Sequence, residues 1–368
     1  MRFTLLRSPV PAPPFRPQAA RQQPALAPRT RDAWLDNARF GLIALVMFGH
    51  CLEPLAGQSA WLDTAYRFVY LFHVPALAFL SGAVASARAD ARLFRGIAFR
   101  LLLPYLAFQL LYALAAQTPG WPDDGPGGVA TPYWLLWYLL SLAGWRLLLP
   151  LFARLRYRMA LAVLLAIAAG CASDLGYYLS LSRTLVFFPL FLLGWQYSGL
   201  WRQRSRHVAA RLLAVATLAC LLWLAARWTD AIPWLYGSLD YASLGAGLPQ
   251  GIAFRLLQIG AAIAGCAAYL SLVPRHASPV SRLGARSLPA YLLHGILVKL
   301  AVAAGALDLL QGRLPAAQLP LLLALSLLCC ALLSSRFAQR LLAPVVTPQW
   351  LERRLWRDEP PVLALTRR

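Results

Sequence analysis

Residues 34–53 read WLDNARFGLIALVMFGHCLE, from Trp34 to Glu53. An apolar run from Phe40 to Gly49 is bounded by Asp36 and Arg39 on one side and by His50 and Glu53 on the other. About 20 helical residues cover the ~30 Å of a bilayer's hydrocarbon, so this stretch is long enough to cross. Arg39 and His50 are eleven residues apart, roughly 16 Å of rise and about 20° short of three whole turns. They share one face, with His50 about halfway through the bilayer, and Asp36 and Glu53 lie near the same stripe. Ionisable groups inside a span are costly and default to a functional reading. Taken singly, Arg39 reads equally well as a snorkelling arginine and His50 as a packed, hydrogen-bonded histidine.

Outward from this segment the same texture continues. The chain has 368 residues, 60% hydrophobic and only 13% charged, with a mean hydropathy of +0.57. Soluble domains carry about 25% charged residues, so an ordinary soluble enzyme, a disordered chain and a fibre are excluded. Apolar runs of near-spanning length fall at 36–55, 65–86, 97–116, 133–152, 159–177, 184–201, 208–227, 251–272, 287–308 and 316–335. The expected fold is an all-α polytopic membrane bundle of about ten transmembrane helices. Residues 1–33 read as a disordered, basic, Pro-rich cytoplasmic tail without a cleavable signal pattern. Residues 34–343 read as the membrane domain and 344–368 as a cytoplasmic C-terminal tail.

The net charge is +21 and the pI about 10.7, a balance that in a soluble protein would suggest nucleic acid. Its distribution says otherwise. Of 34 arginines, 28 fall in loops and tails on one side of the ten runs and four on the other. That bias places both termini in the cytoplasm and accounts for the pI without a nucleic-acid partner. The opposite loops carry acids instead, such as Asp123 and Asp124. The six cysteines lie in or beside apolar runs with no CxxC pair and no zinc-ligand spacing. They read as small buried hydrophobes, and no metal is expected. No Walker loop, GxGxxG or HExxH is present, which argues against ATP-driven transport and a dinucleotide cofactor.

Other spans carry polar groups at matching depth. The second holds Tyr66, Tyr70, His73 and Ser81 at similar helical angles, with His73 about 12 Å in from Ala65. The ninth holds Tyr291 and His294, the latter again about 12 Å from its basic end. Three histidines from three spans suggest a shared polar cavity. Arg183, in SLSRT at the non-cytoplasmic mouth of the sixth span, runs against the charge bias. It would bind an anionic or hydroxyl-rich ligand or pair with a lipid headgroup. Lys299, the sole lysine, reads as a buried ion-pair member or a snorkeller. Trp137 and Tyr138 read as interfacial anchors or as a stacking platform for a sugar.

These residues resemble the acyltransferase 3 family of integral-membrane acyltransferases, most nearly its fucose 4-O-acetylase-like branch. The resemblance rests on Arg39 to His50 within LDNARFGLIALVMFGH, then YLFHVPALAFLSG (Tyr70 to Gly82), RLLLPYL (Arg100 to Leu106), PYWLLWYLLSL (Pro132 to Leu142), SLSRTLVFFPLFLLG (Ser180 to Gly194) and YLLHG (Tyr291 to Gly295). It runs from about residue 34 to 340. It implies ten helices in a bacterial cytoplasmic membrane and transfer of an acyl group, usually acetyl from acetyl-CoA, to a hydroxyl of a sugar or surface molecule. The acceptor implied is an exported polysaccharide or its lipid-linked precursor, and polysaccharide-assembly machinery is an expected partner. Arg39 and His50 carry the family's motif pair. Arg100 matches the second arginine of an Arg-x-x-Arg pair, but position 97 is isoleucine, so Arg95 or Arg92 is the expected substitute.

The chemistry follows from the residue types. Acyl transfer to an alcohol needs a base for the hydroxyl proton and a stabiliser for the oxyanion. His50 is the expected base, or the carrier of an acetyl group in a covalent relay. Glu53, with Asp36 as a second candidate, would orient it. Arg39, Arg92, Arg95 and Arg100 would hold the CoA phosphates. His73 and His294 would contact the oxyanion or the acceptor, and Arg183, Ser182, Tyr70, Trp137 and Tyr291 would hold the acceptor. The rival reading is a secondary transporter or flippase for a lipid-linked sugar, using the same histidines and the prolines Pro75, Pro104 and Pro189.

Overall fold

The computed structural model describes residues 31–122, 128–173, 175–204, 207–307 and 315–356. Residues 33–368 make one compact unit and residues 1–32 a separate one; the account below concerns the former. The described residues contain helices and no strands. In chain order these are α1 (Ala33–Leu52), α2 (Ala60–Ala83), α3 (Ala91–Ile97), α4 (Leu103–Ala115) and α5 (Trp137–Phe152). Then come α6 (Arg158–Ala168), α7 (Leu181–Arg204), α8 (Val208–Arg227), α9 (Ala231–Tyr236) and α10 (Leu248–Leu272). The last are α11 (Pro279–Gly284), α12 (Leu288–Ala303), α13 (Pro315–Leu333), α14 (Arg336–Val346) and α15 (Gln349–Leu355).

Six stretches are long and apolar enough to cross a membrane: Ala33–Leu55, Ala91–Ala115, Trp134–Phe152, Tyr178–Gln203, Val208–Arg227 and Leu248–Leu272. Counting a pair bent by 67° after α13 as one span makes seven. This is fewer than the ten expected, and each shortfall has a physical reason. Helix α2 is 24 residues long but diluted by Tyr66, Arg67, Tyr70 and His73, all buried inside the protein. Helix α12, at 16 residues, reaches about 24 Å, and the apolar helix Arg158–Cys171 is shorter still. The expected C-terminal tail is described as far as Trp356. It forms α14 and α15, and Glu352 of α15 pairs with Arg95 at 3.2 Å. Asp123 and Asp124, and most of the expected N-terminal tail, lie outside the described residues.

Helix α1 lies against α2, α11, α12 and α13. Its first turn is fixed by polar contacts. Asn37 donates to the carbonyls of Pro274 (2.9 Å) and His276 (3.2 Å) and accepts from Ser281 (2.8 Å). Ser281 belongs to the capping box that starts α11, which satisfies orphan N–H groups there. Trp34 donates to the Leu270 carbonyl, and Tyr269 donates to that of Ala38, tying α10 to the same end. The most extensive helix pair is α2 with α7: a Cβ on Gly82 would overlap the Phe191 carbonyl, and one on Gly194 that of Phe79. Of the cysteines, Cys266 and Cys330 are buried, but Cys171 and Cys220 are exposed at the protein surface, so the expectation of six buried thiols is corrected. On a membrane helix such as α8 the exposed face is the lipid-facing one, and a thiol is as content there as in a core.

Candidate active site

His50 occupies the last turn of α1. The chain then tightens into a short 3₁₀ turn, Glu53–Leu55, with Pro54 inside it. That turn brings Glu53 back to its neighbour one turn earlier, and Glu53 Oε2 lies 3.2 Å from His50 Nδ1. A carboxylate can only accept, so Nδ1 carries the hydrogen and Nε2 keeps its lone pair. Glu53 is itself held by two further donors. Trp134 Nε1 donates to Oε2 at 3.2 Å, and the Tyr236 hydroxyl makes a long contact of 3.5 Å to Oε1. Tyr66 in turn lies 2.7 Å from the Tyr236 hydroxyl and supplies its proton there. Burial, and after it the charge of Glu53, push the Tyr236 phenol above its ordinary range, so it stays a neutral donor.

The imidazole of His50 rests on Trp134, ring centroids 4.2 Å apart, and stacks on His294 at 5.4 Å. The Tyr70 hydroxyl lies 3.4 Å from Nδ1. Trp134 adopts φ 35°, a left-handed conformation that is unusual for a residue with a Cβ. Such strain costs on the order of 1–3 kcal/mol and persists where the surroundings over-determine it. The surroundings are α12: the indole lies over Gly295, where a Cβ would come within 3.2 Å of it. Lys299 Nζ, one turn further along, lies 4.6 Å from the Trp134 ring centroid. Lys299 is thus buried inside the site and is not a snorkelling side chain.

His50 is not sealed. Its side chain keeps 13% of its exposure and faces a cavity of about 580 Å³. Of the expected site residues, Glu53, Tyr70, His73, Trp137, Arg183 and Tyr291 also line this cavity. His294 touches it only through its stack on His50. His73 Nδ1 lies 2.7 Å from the Val69 carbonyl and His294 Nδ1 3.0 Å from that of Ala290. A carbonyl only accepts, so both rings spend their N–H on the backbone and leave Nε2 as an acceptor. Neutral, they can receive a hydrogen bond but cannot donate one to an oxyanion, which corrects the oxyanion role considered for them. Tyr291 donates to the Leu135 carbonyl at 2.6 Å and so fixes the turn that carries Trp134.

The cavity has two chemically different ends. At one, Tyr138 bonds Ser81 at 2.8 Å, and Arg39 and Arg146 both act on its hydroxyl through their charge. Arg146 feels the charge of Arg100 and reaches α3, where a Cβ on Gly96 would lie 3.9 Å from its Nη1. Its buried Nε has no hydrogen-bond partner among the described residues. Arg100 is exposed, in a π-helical turn at Ala98–Leu102, a distortion common at functional sites. Arg92 is exposed, and Arg95 is engaged by Glu352. Asp36 pairs with Arg39 at 3.2 Å, fourteen residues from His50, so it does not orient the imidazole. At the other end lie Arg183, Trp137, Tyr177 and Tyr236. Ser182 is buried away from the lining and donates to the Gly237 carbonyl at 2.9 Å. Among the described residues no cluster of three His, Cys, Asp or Glu side chains could hold a metal ion.

The family model described as an acyltransferase domain, acyltransferase 3, matches residues 32–335. The chain belongs to the acyltransferase 3 family. Two curated relatives are both named nodulation protein NolL. The one from Mesorhizobium japonicum is 28% identical over 217 residues, 52% of this chain and 56% of the relative. The one from Sinorhizobium fredii is 26% identical over 215 residues, 53% and 57%. The chain thus spans little more than half the length of either. No solved structure matches.

In this acyltransferase 3 protein, sequence reasoning missed Trp134 and Tyr236, two of the three donors that hold Glu53. Trp134 stands inside the quoted PYWLLWYLLSL block, so its presence was visible and its backbone turn was not. Tyr236 ends α9, in a stretch between two apolar runs that carries no signal beyond its aromatic content. Arg146 was visible only as an arginine near the end of a span.

Proposed function

We propose that the protein is a membrane O-acetyltransferase that moves an acetyl group from cytoplasmic acetyl-CoA to a sugar hydroxyl. The acceptor is a cell-surface or exported polysaccharide or its lipid-linked precursor, made at a bacterial cytoplasmic membrane. The observation that carries this is the Glu53-held imidazole, open to a cavity that the aromatic-flanked Arg183 lines; Arg39 and Arg146 act on Tyr138 in its wall without lining it. In this reading ten helical segments cross with both termini in the cytoplasm, which would put Arg39, Arg100 and Arg146 on the cytoplasmic side. His50 Nε2 takes the proton of the acceptor hydroxyl as its oxygen attacks the thioester carbonyl. The carbon–sulfur bond then breaks, and the imidazolium returns the proton to the CoA thiolate. Glu53 fixes the tautomer and balances the imidazolium, as a carboxylate does in other His-based acyl transfer. The Tyr70 hydroxyl, 3.4 Å from Nδ1, is a hydroxyl donor beside the imidazole.

The test uses the purified protein with acetyl-labelled CoA and a polysaccharide fragment. The expected result is free thiol with label on the saccharide. Absence of thiol release would leave the transporter reading standing. Arg146 is assigned to the donor site because it sits beside the position where the Arg-x-x-Arg pattern lacks an arginine. Arg146→Ala is expected to raise KM for acetyl-CoA roughly tenfold or more, the worth of a charge-assisted hydrogen bond. Because that contact is made equally in ground and transition states, kcat should change little. Initial rates against acetyl-CoA concentration check this.

A further inference from the structure

Two arginines from the non-cytoplasmic half of the bundle are drawn inside it, and they are used differently. Arg67 spends its whole guanidinium on the fold: Nε on the Ala225 carbonyl at 2.7 Å, Nη1 on Thr229 at 3.4 Å and Nη2 on Thr64 at 3.5 Å. Arg183 spends one donor, Nε, on the Tyr236 carbonyl at 3.1 Å. Its guanidinium carbon lies 5.0 Å from the Trp137 ring centroid and 4.9 Å from that of Tyr177. Two aromatic rings hold the cation, and Arg183 lines the cavity. Among the described residues no carboxylate lies within ion-pairing distance of it. Glu53 acts on it through space but is committed to His50, Trp134 and Tyr236. Arg183 is half-buried; a partly desolvated cation without a paired anion is costly, and a guanidinium with a free edge suits an oxyanion gripped by two parallel bonds.

Resting on the acetyltransferase reading above, we infer that Arg183 binds an anionic group on the acceptor, a carboxylate or a phosphate. The acceptor is therefore an acidic glycan, not a neutral one. Tyr236 sets the distance. Its backbone carbonyl accepts from Arg183 while its hydroxyl reaches Glu53, so the anion site and the catalytic pair are one tyrosine apart. That span fits a charge on the acetylated sugar itself or on the next one. The aromatic walls around Arg183 suit the apolar face of a sugar ring, and about 580 Å³ lies within the usual range of ligand sites.

The experiment compares a glucuronate-containing disaccharide with its carboxyl-reduced counterpart and with a sugar 1-phosphate. Each is offered to the full-length protein with labelled acetyl-CoA. The anionic acceptors are expected to be preferred roughly tenfold or more in kcat/KM. In Arg183→Gln that ratio should fall toward one, and Arg183→Lys should keep part of it. Preference for the phosphate over the uronate, or the reverse, names the anion. Equal use of charged and neutral acceptors by the unmodified protein overturns the inference, as does a ratio unchanged in Arg183→Gln. Should no acceptor be acetylated, the acetyltransferase reading fails separately. Binding of the same saccharides, read by tryptophan fluorescence, then decides the role of Arg183 by the same ratios.

Discussion

His50→Ala is expected to lower kcat for acetyl transfer by about 10²–10⁴-fold, the range that a positioned general base supplies. The argument is geometric. The Nδ1 hydrogen is committed to Glu53 at 3.2 Å, so Nε2 is the lone pair left for a substrate proton. The two neighbouring histidines cannot take over easily. Both are more deeply buried than His50, and only His73 lines the cavity. Glu53→Gln is expected to lower kcat as well, because an amide no longer specifies which ring nitrogen carries the hydrogen. Since Glu53 acts through the imidazole, the double variant should be no slower than His50→Ala alone, the non-additivity of groups that work as a unit. Asp36→Asn should behave differently, affecting KM for acetyl-CoA through Arg39 and leaving kcat nearly intact. Thermal unfolding of each variant separates these effects from loss of fold. An additive double variant would detach Glu53 from the base.

Much of this arrangement follows from spacing alone, and the reasons it stops are local. The Arg39–His50 separation and the position of Glu53 three residues on depend only on helix geometry, and α1 keeps that geometry through its whole length. The cavity shared by residues of α1, α2, α7 and α12 was legible because each contributed a polar group where lipid forbids one. Trp134 was not legible, since its place depends on a left-handed turn that Tyr291, Gly295 and Lys299 enforce from far along the chain. The helices apolar enough to cross number fewer than the ten expected for a related reason. Hydropathy scores a helix as if its whole surface met lipid, whereas α2 turns Tyr66, Tyr70 and His73 inward. Its polarity belongs to the site, so the helix that contributes most to the cavity wall is less apolar than a lipid-facing one. The tautomers of His73 and His294 were also out of reach, because the i−4 carbonyls that fix them become partners only once the rings choose a rotamer.

Gly194→Ala is expected to destabilise the protein by several kcal/mol or to abolish its recovery from membranes, although it adds a single methyl group far from His50. The new Cβ would overlap the backbone carbonyl of Phe79. Backbone in the middle of a helix cannot step aside as a side chain would, so α2 and α7 must separate. Association of membrane helices relies on close packing of small residues more than on the hydrophobic effect, and overpacking a tight contact typically costs 1–3 kcal/mol or more. Gly82 makes the reciprocal contact, its Cβ position overlapping Phe191 and meeting Trp195 N at 3.0 Å, so Gly82→Ala should cost a similar amount. Because one separation of the two helices relieves both clashes, the double variant should cost clearly less than the sum of the singles, as expected for neighbours sharing one strain. Gly199, on the same helix with nothing within 4 Å of an added Cβ, is the control: Gly199→Ala should be neutral or slightly stabilising. Midpoints of thermal unfolding in detergent for all four variants decide it, and additive losses would show that the two glycines relieve separate contacts.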